Sequence, residues 1–413
     1  MSWTAIQLGS REHYAIPIAL QASGVLDRCV TDTWLSEVAS NLFRPFLPSL
    51  AARRSSQLPD SKVVSNTLGR LMIDARMRAR GRTYWDSILE RNEWFGGWAA
   101  KQGAKVGSST VFSYSYTARL PFADAKRRDT LCILGQIDPG PREDEVVLEA
   151  TKSYRHLAPP ADRAPQKYWD LWREEIATAD KIVVNSPWSA KLLVEAGVDA
   201  AKLVEIPLVY EPPESSGGSI QSADFSVSAC QHVSVSRSRP RLRALFLGSV
   251  ILRKGVGQLF DAIKMLKNEP VDFTFAGPIG VRMPDEISGL PNVRLLGPVD
   301  KATAEKLYRD SDVFLFPTLS DGFGLTQLEA LGHGLPVIAS THCGQIAEDR
   351  VNGLVLPEVT PEAIADAIMQ LVRDRDFMDR LKANARVPDK CHPRHLAPAL
   401  LALEPHRAAE SHG

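Results

Sequence analysis

The chain has 413 residues, of which 44% are hydrophobic and 24% charged, and its 49 Lys and Arg residues equal its 49 Asp and Glu residues in number. At about 100 to 200 residues per domain, this length predicts two or three domains, each able to bury a core. The composition excludes a disordered chain, a collagen and a small disulfide-stabilised scaffold. The five cysteines form no CxxC pair, so neither a zinc site nor a disulfide framework is predicted.

The net charge of zero hides an asymmetry along the chain. Residues 1–128 contain 18 Lys and Arg against 10 Asp and Glu, so residues 129–413 contain 31 against 39. A basic first part favours anionic partners, such as a phosphorylated molecule or a phospholipid surface, and the acidic remainder argues against nucleic-acid binding. A solvated surface that is merely uneven in charge is the alternative.

No export or membrane-spanning signal is found. The N-terminus lacks a basic start followed by an apolar core, and no apolar run approaches the roughly 18 residues of a transmembrane helix. We therefore expect a cytoplasmic protein, with peripheral contact to the inner face of an anionic membrane as one option.

That option depends on residues 68–82, which have an amphipathic helical pattern. Leu68, Leu71, Met72, Ala75 and Ala79 share one helical face, whereas five arginines lie largely elsewhere. Such a helix either lies on an anionic membrane or packs on its own domain with a solvated basic side.

Short apolar strands alternate with helical patterns from end to end, which is typical of parallel βαβ units. The predicted strands are residues 4–8, 110–112, 131–137, 181–185, 204–206, 244–247, 272–275, 293–295, 313–316, 337–339 and 353–356. Ser-rich residues 211–240 lack periodicity and are predicted to be a linker or mobile loop.

The expected fold is α/β, with two Rossmann-like domains that face each other across a central cleft. The first domain is predicted to be residues 1–210 and the second residues 241–390. For the tail, residues 391–413, we expect at most a short helix that frays or packs back on the first domain. Ligands of such parallel sheets bind beyond the carboxyl ends of the strands.

Residues 312–336 are the most informative stretch. A buried strand ends at Pro317, and a polar turn leads to Gly322, Phe323 and Gly324, which open a helix. The first turn of a helix presents unpaired N–H groups and the positive end of the macrodipole, which suit a phosphate. Asp321 lies at the start of this helix, and Glu329 is eight residues further on.

This stretch resembles the signature of the fourth family of glycosyltransferases, retaining enzymes of the GT-B fold. In that family an acidic residue, a Gly-Phe-Gly turn and a Glu eight positions later bind a nucleotide-sugar. The resemblance covers about residues 170–372, and its upstream motifs are Leu245–Gly248, Arg253–Gly255, Phe275–Gly277 and Leu295–Gly297.

The resemblance implies roles for the matched positions. Lys254 would bind the donor phosphates, Glu329 the ribose hydroxyls, and Asp321 the transferred sugar. The implied donor-binding residues are Gly9, Ser249, Val299, Gly322, Phe323, Gly324, Leu325 and Glu329. Among candidate catalytic residues we place Asp321, Lys254, Arg253 and His13. His13 follows the Gly9 loop and either faces the cleft, where it would bind an acceptor or transfer a proton, or is an ordinary surface or capping residue.

Three positions depart from the family pattern. Asp321 stands where Glu is common, and Ser249 stands where the family has an Arg, whose charge Arg253 would partly replace. The family's front-domain His has no clear equivalent, the nearest residues being Gln136 and Asp138.

The resemblance implies a retaining transferase that uses a UDP- or GDP-sugar and needs neither a metal nor another cofactor. Its acceptor would be a sugar, a lipid-linked or a phosphorylated molecule, in the synthesis of cell-envelope polysaccharide, glycolipid or another glycoconjugate. Asp310-Ser311-Asp312 spells a metal-binding DxD, but its place between a helix and a strand favours a structural role. The alternatives are an epimerase or a phosphorylase on the same scaffold, or a catalytically silent binding subunit.

Overall fold

The computed structural model describes residues 1–43, 53–158, 163–212 and 241–404. They form two compact units. The first consists of the described residues of Met1–Glu145, Ala161–Val209 and Lys390–Gly413, and the second of those of Val146–Pro160 and Tyr210–Asp389. Most of the predicted linker, residues 213–240, lies outside the described residues.

Strands and helices alternate along the described chain. The strands are β1 (Trp3–Gln7), β2 (Leu26–Thr31), β3 (Val63–Ser65), β4 (Thr110–Tyr114), β5 (Leu131–Gly135), β6 (Lys181–Val184), β7 (Leu203–Glu205), β8 (Leu242–Leu247), β9 (Val271–Ala276), β10 (Val293–Leu295), β11 (Val313–Phe316), β12 (Val337–Ser340) and β13 (Gly353–Leu356). The helices are α1 (Ala15–Ala22), α2 (Glu37–Phe43), α3 (Thr67–Ala79), α4 (Tyr84–Gly103), α5 (Arg119–Lys126), α6 (Pro141–Ala150), α7 (Gln166–Thr178), α8 (Pro187–Glu195), α9 (Val256–Met265), α10 (Asp285–Ser288), α11 (Lys301–Asp310), α12 (Leu325–Gly332), α13 (Pro361–Arg373), α14 (Arg375–Asn384) and α15 (Leu396–Leu401).

Each unit contains one parallel sheet. The first sheet has the order β3-β2-β1-β4-β5-β6-β7 and the second the order β10-β9-β8-β11-β12-β13. In both, the order reverses beside the first strand, as in Rossmann folds, and this reversal opens a crevice at the carboxyl ends of the two neighbouring strands. The predicted α/β class with two Rossmann-like domains is confirmed.

Two strands of the first sheet were not predicted. In β2 the charged pair Asp27 and Arg28 interrupts the apolar run, and β3 has only three residues, none of them buried. β3 is the edge strand and is covered less completely, whereas β2 is an inner strand whose apolar run is short because only Leu26 and Cys29–Thr31 are buried.

The division of the chain differs from the predicted one at residues 146–160. They belong to the second unit, although the sequence analysis placed them in the first domain. Gln258 Nε2 donates to the carbonyl of Ala150 (3.1 Å), and the hydroxyl of Tyr154 donates to Asp261 (2.9 Å). These contacts fix the segment against α9.

The tail forms a short helix and packs on the first unit. Leu396, Leu400 and Leu403 are buried in the same core as Trp3 and Leu20. Each buried leucine contributes roughly 1.5–3 kcal/mol to folding. Through residue 404 the tail is therefore part of the first core, and the expected fraying is not seen there.

Gly255 allows the loops after β8 and β11 to approach each other. Its φ is +74°, and a Cβ at this position would lie 1.8 Å from the carbonyl oxygen of Pro317. Only glycine fits both the left-handed backbone and the close contact. Lys254, one residue earlier, is thereby held next to the end of β11.

Asp312 ties the start of β11 to its surroundings. Its carboxylate accepts hydrogen bonds from Arg243 and from Lys382 (2.8 Å). Burial alone would raise the pKa of Asp312, but these two cations outweigh it and lower the pKa to about 2. The second carboxylate of the DxD sequence is thus committed to ion pairs, in agreement with the structural role predicted for it.

We predict that Gly255→Ala destabilises the second unit far more than Gly297→Ala. Both glycines have a positive φ, but a Cβ at Gly297 meets nothing within 4 Å. The Gly297 variant should lose about 1 kcal/mol from backbone strain, and the Gly255 variant about 2–4 kcal/mol because the Pro317 carbonyl must also move. Urea denaturation measures both losses, and equal losses would contradict the proposed close contact.

A second prediction concerns acid stability. A carboxyl group whose pKa is lowered by folding stabilises the protein above its unfolded pKa of about 3.9, and this stabilisation is lost as the pH falls towards the folded value. Asp312→Asn should reduce the free energy of unfolding at pH 7 by about 1–3 kcal/mol and flatten its pH dependence between about pH 4 and 2.

Asp310→Asn is the matched control for this measurement. Asp310 is two residues earlier, pairs with Lys306 and is 54% exposed. The Lys306 hydrogen bond also lowers the pKa of Asp310, but solvent screens this exposed pair, so Asp310→Asn should change the acid profile less than Asp312→Asn does. An equal effect of the two variants would refute the role of Asp312.

Candidate functional site

The candidate site lies where the order of the second sheet reverses. β8 and β11 are neighbours there, and the loops that follow them contain Lys254 and Asp321. The carbonyl of Arg253 accepts hydrogen bonds from the Leu319 N–H (2.9 Å) and the Thr318 hydroxyl (3.2 Å). The two loops are therefore joined through their backbones.

Lys254, Arg253 and Asp321 form one charged cluster. Lys254 Nζ donates to Asp321 Oδ2 and lies 4.8 Å from the centre of the Phe316 ring. Arg253 lies 3.5 Å from the same carboxylate oxygen and donates to the Ser320 carbonyl (2.8 Å). The side chains of Lys254 and Asp321 are each only 15% exposed. The cluster thus has two cations for one carboxylate.

Asp321 is ionised in this setting. Burial acts to raise its pKa, but Lys254 and Arg253 together lower the pKa below its ordinary value. Its other oxygen accepts the Phe323 N–H (3.1 Å), and its own N–H donates to the His342 carbonyl (2.9 Å). The side chain is thereby fixed at the turn that leads into α12.

The Gly-Phe-Gly turn positions the start of α12. Gly324 precedes the helix with a φ of +84°, and the first helical residue is Leu325. Phe323 is 2% exposed and packs against Gly344, so its side chain anchors the turn. The first N–H groups of α12 have no acceptor within the helix and add their positive dipole to the charge of Lys254.

Glu329 lies about one turn along α12 and is held by Tyr308. The Tyr308 hydroxyl donates to Glu329 Oε2 (2.9 Å), and burial together with Glu329 raises the pKa of Tyr308 well above its ordinary value. Burial, then Glu329 and Glu305, also raise the pKa of Tyr210 to about 12. The hydroxyl of Tyr308 thus stays protonated and orients the carboxylate.

Ser249 and Val299 follow two other strands of the same sheet. Ser249 comes two residues after β8 and is exposed, and Val299 follows β10 and is half-buried. Gly248 N–H donates to the Ala276 carbonyl (2.9 Å), which joins the ends of β8 and β9. The two residues thus lie at the carboxyl edge of the sheet, but no contact links them to the Lys254 cluster.

Gly9 and His13 belong to the first unit. Gly9 N–H donates to the buried carboxylate of Asp32 (2.8 Å). His13 is exposed, and it lies with Glu12 and Tyr14 in a run of three left-handed residues, with φ values of 48°, 52° and 66°. Burial raises the pKa of Glu12 to about 7, although Tyr114 and Arg11 act against it. Strained backbone of this kind is concentrated at functional loops.

The nearest counterparts of the family's histidine hold each other in place. Gln136 donates to Asp138 Oδ1 (3.1 Å) and accepts from the indole N–H of Trp172 (3.1 Å), and the Tyr116 hydroxyl donates to Asp138 (2.7 Å). Both residues therefore have structural partners at the end of β5.

Tyr308 and Phe316, which contact Glu329 and Lys254, were not among the predicted site residues. Tyr308 lies one helix earlier than Glu329, and Phe316 appeared only as part of a buried strand. The sequence does contain one signal for Phe316. An aromatic residue directly before Pro317, at the end of a strand, can place its ring against a cation.

Within the described ranges, no group of three or more His, Cys, Asp or Glu side chains is arranged to hold a metal ion. Nor does any helix of the described chain combine the length and apolar character that are needed to cross a bilayer.

Residues 241–374 match the family model described as glycosyl transferases group 1. An uncharacterized glycosyltransferase of Methanocaldococcus jannaschii is 30% identical over 152 residues, which are 34% of this chain and 38% of the relative. A D-inositol 3-phosphate glycosyltransferase of Actinosynnema mirum is 26% identical over 245 residues, covering 56% of this chain and 58% of the relative. The chain thus matches less than two thirds of the length of either relative.

Solved structures match almost the whole chain. Sucrose-phosphate synthase from Thermosynechococcus elongatus has a TM-score of 0.64 and 16% identity over 98% of both chains. Anabaena HepE in complex with UDP-glucose has a TM-score of 0.60 and 13% identity over 97% of this chain and 100% of HepE. The chain therefore has the GT-B fold, and its residues 241–374 are similar to the group 1 glycosyl transferases.

Proposed function

We propose that the protein is a retaining glycosyltransferase that transfers a sugar from a nucleotide-sugar to an acceptor. The observation that carries this proposal is the cluster of Lys254, Arg253 and Asp321 at the start of α12. It places two cations and a helix N-terminus at the sheet reversal, where Rossmann-like domains bind their ligands.

This arrangement suits the charge that develops during the reaction. When the bond between sugar and diphosphate breaks, negative charge grows on the leaving phosphate. Lys254 and the backbone N–H groups at the start of α12 would stabilise it, and Arg253 would add a second cation. These groups supply the positive charge, so the proposal requires no divalent cation.

The transfer would occur on one face of the sugar. The leaving phosphate oxygen accepts the proton of the acceptor hydroxyl as that hydroxyl oxygen bonds to the anomeric carbon. Asp321, which Lys254 fixes at the helix start, would contact the transferred sugar, and its position relative to Lys254 would set the orientation of the donor.

Glu329 would bind the ribose of the donor. Its carboxylate is held by Tyr308 at 2.9 Å and lies about one turn beyond the start of α12. A carboxylate accepts two hydroxyl hydrogen bonds readily, and one that is already oriented loses less entropy on binding.

The nucleotide is proposed to be UDP or GDP. HepE, which shares the fold, has been crystallised with UDP and with UDP-glucose. For the acceptor, the basic excess of residues 1–128 favours a phosphorylated or lipid-linked molecule, a class to which the inositol 3-phosphate of the relatives named for it belongs. Synthesis of a cell-envelope polysaccharide or another glycoconjugate is the matching role.

A third prediction tests nucleotide binding. Glu329→Ala should weaken the binding of the preferred nucleoside diphosphate about 10- to 100-fold, because hydrogen bonds to a charged group are lost. Titration calorimetry with UDP, GDP and ADP measures the affinity and identifies the base.

Glu305→Ala is the control for the third prediction. Glu305 is on α11 and is 29% exposed. Its loss should leave the affinity unchanged. If the parent protein binds none of the three nucleotides, the proposed donor site is wrong.

A fourth prediction tests catalysis. Lys254→Ala should lower the kcat for release of nucleotide from the donor about 100- to 1,000-fold, because one cation that stabilises the leaving phosphate is removed. Lys267→Ala, at an exposed position beyond α9, should have no effect. The anomeric proton of the product, measured by NMR, tests retention, and an inverted product would refute that part of the proposal.

A catalytically silent nucleotide-binding subunit is the second candidate. Ser249 offers no charge where the family has an arginine, and Asp321 at the helix start is paired with both cations. A parent protein that binds UDP or GDP but neither hydrolyses nor transfers any sugar would favour this candidate over the transferase.

A further inference from the structure

Helix α3 of the first unit exposes its apolar side. Ile73 and Met77 are its buried residues, whereas Leu68, Leu71 and Met72 are 70%, 51% and 64% exposed. Together with Ala75 and Ala79, these exposed residues form a continuous stripe at helical spacing. We call Leu68, Leu71, Met72, Ala75 and Ala79 the outer stripe.

Buried ion pairs fix this orientation of α3. Arg70 Nη1 donates to Asp32 Oδ2 (2.6 Å), and Arg70 Nε donates to Asp74 (2.8 Å). The side chain of Asp32 has no exposed surface. Rotating α3 to bury the outer stripe would leave this carboxylate without Arg70 in the interior, which is strongly unfavourable. The apolar stripe is therefore turned outward in the native fold.

Arginines border the outer stripe on both sides. At 100° per residue, Arg76 and Arg78 lie about 80° to either side of Leu68 around the helix axis. Arg80 and Arg82 follow at the end of α3, and all four residues are exposed. Arg76 and Arg82 also approach Glu90, at 3.4 Å and 3.3 Å, which still leaves them 54% and 41% exposed.

A second exposed apolar pair lies on the neighbouring helix. Val38 and Leu42, one turn apart on α2, are 79% and 65% exposed. The backbone N–H of Trp34, shortly before α2, donates to the Thr67 hydroxyl at the first residue of α3 (3.2 Å). The two helices thus begin side by side.

We propose that the outer stripe of α3 binds the surface of an anionic phospholipid membrane. The apolar side chains would enter the boundary between headgroups and acyl chains, and the bordering arginines would reach the lipid phosphates. The basic excess of residues 1–128 adds a long-range attraction to the same surface.

Charge favours the membrane over a second copy of the chain. In a two-fold contact between two outer stripes, the arginines of one copy would face those of the other, and like charges would repel. An anionic membrane provides an apolar layer for the outer stripe and negative phosphates for the arginines beside it.

The test uses the full-length protein and sedimentation with vesicles of phosphatidylcholine alone or with about 30% phosphatidylglycerol. We expect retention on the anionic vesicles at low salt and weaker retention on neutral ones. Leu71→Ser with Met72→Ser should lower the bound fraction at least about tenfold, because the inserted area is lost. Arg78→Glu with Arg80→Glu should lower retention on anionic vesicles to the level seen on neutral ones and remove its dependence on salt.

Two double variants serve as controls. Met265→Ser with Val351→Ser replaces apolar residues of similar exposure (54% and 45%) in the second unit, and Lys267→Glu with Lys301→Glu reverses exposed charges there. Both should bind vesicles as the parent does. Circular dichroism and nucleotide affinity should be unchanged in the stripe variant, which separates this proposal from that of the donor site.

Three outcomes would overturn the proposal. One is a parent protein that stays in solution with anionic vesicles at low salt. Another is a stripe variant that binds as well as the parent. The third is a parent dimer, seen by analytical ultracentrifugation, that the stripe variant converts to a monomer while vesicles retain neither, because the outer stripe would then be an interface between copies.

Discussion

The carbonyl oxygen of Arg253 is the point on which the candidate site depends. It accepts hydrogen bonds from the backbone of Leu319 and the hydroxyl of Thr318, so the loop after β8 cannot move apart from the loop after β11. Gly255 makes this approach sterically possible. Lys254 and Asp321, which belong to different loops, are consequently held in one arrangement by the backbone itself. Side chains held in this way need little rearrangement when negative charge develops on a bound phosphate.

A carboxylate paired with two cations lies near each end of strand β11. Asp312 at its start is bound by Arg243 and Lys382, and Asp321 beyond its end is close to Lys254 and Arg253. At the start, the ion pairs only connect strands to α14. At the end, the cations stand beside a helix N-terminus and the sheet reversal. The function proposed for the second cluster therefore rests on its position in the fold rather than on the type of ion pair.

Much of this fold could be predicted from apolar runs, because a parallel strand that is covered on both faces must be apolar throughout. The charged strand β2 gave no such signal. The sequence pattern of α3 predicted which apolar residues share one face of the helix. It did not predict that this face is exposed, because the orientation depends on the ion pair of Arg70 with Asp32, 38 residues earlier. Likewise, the resemblance placed Lys254 and Asp321 in one site, but their mutual ion pair is a tertiary contact that no local pattern records.

The packing of α15 has a consequence for how the protein is made. Its leucines complete a core whose other members include Trp3, Tyr14 and Leu20, near the opposite end of the chain. A ribosome would therefore synthesise residues 210–389, most of the second unit, before this core could close. Until then the early strands would expose apolar surface, the state in which nascent chains depend most on chaperones.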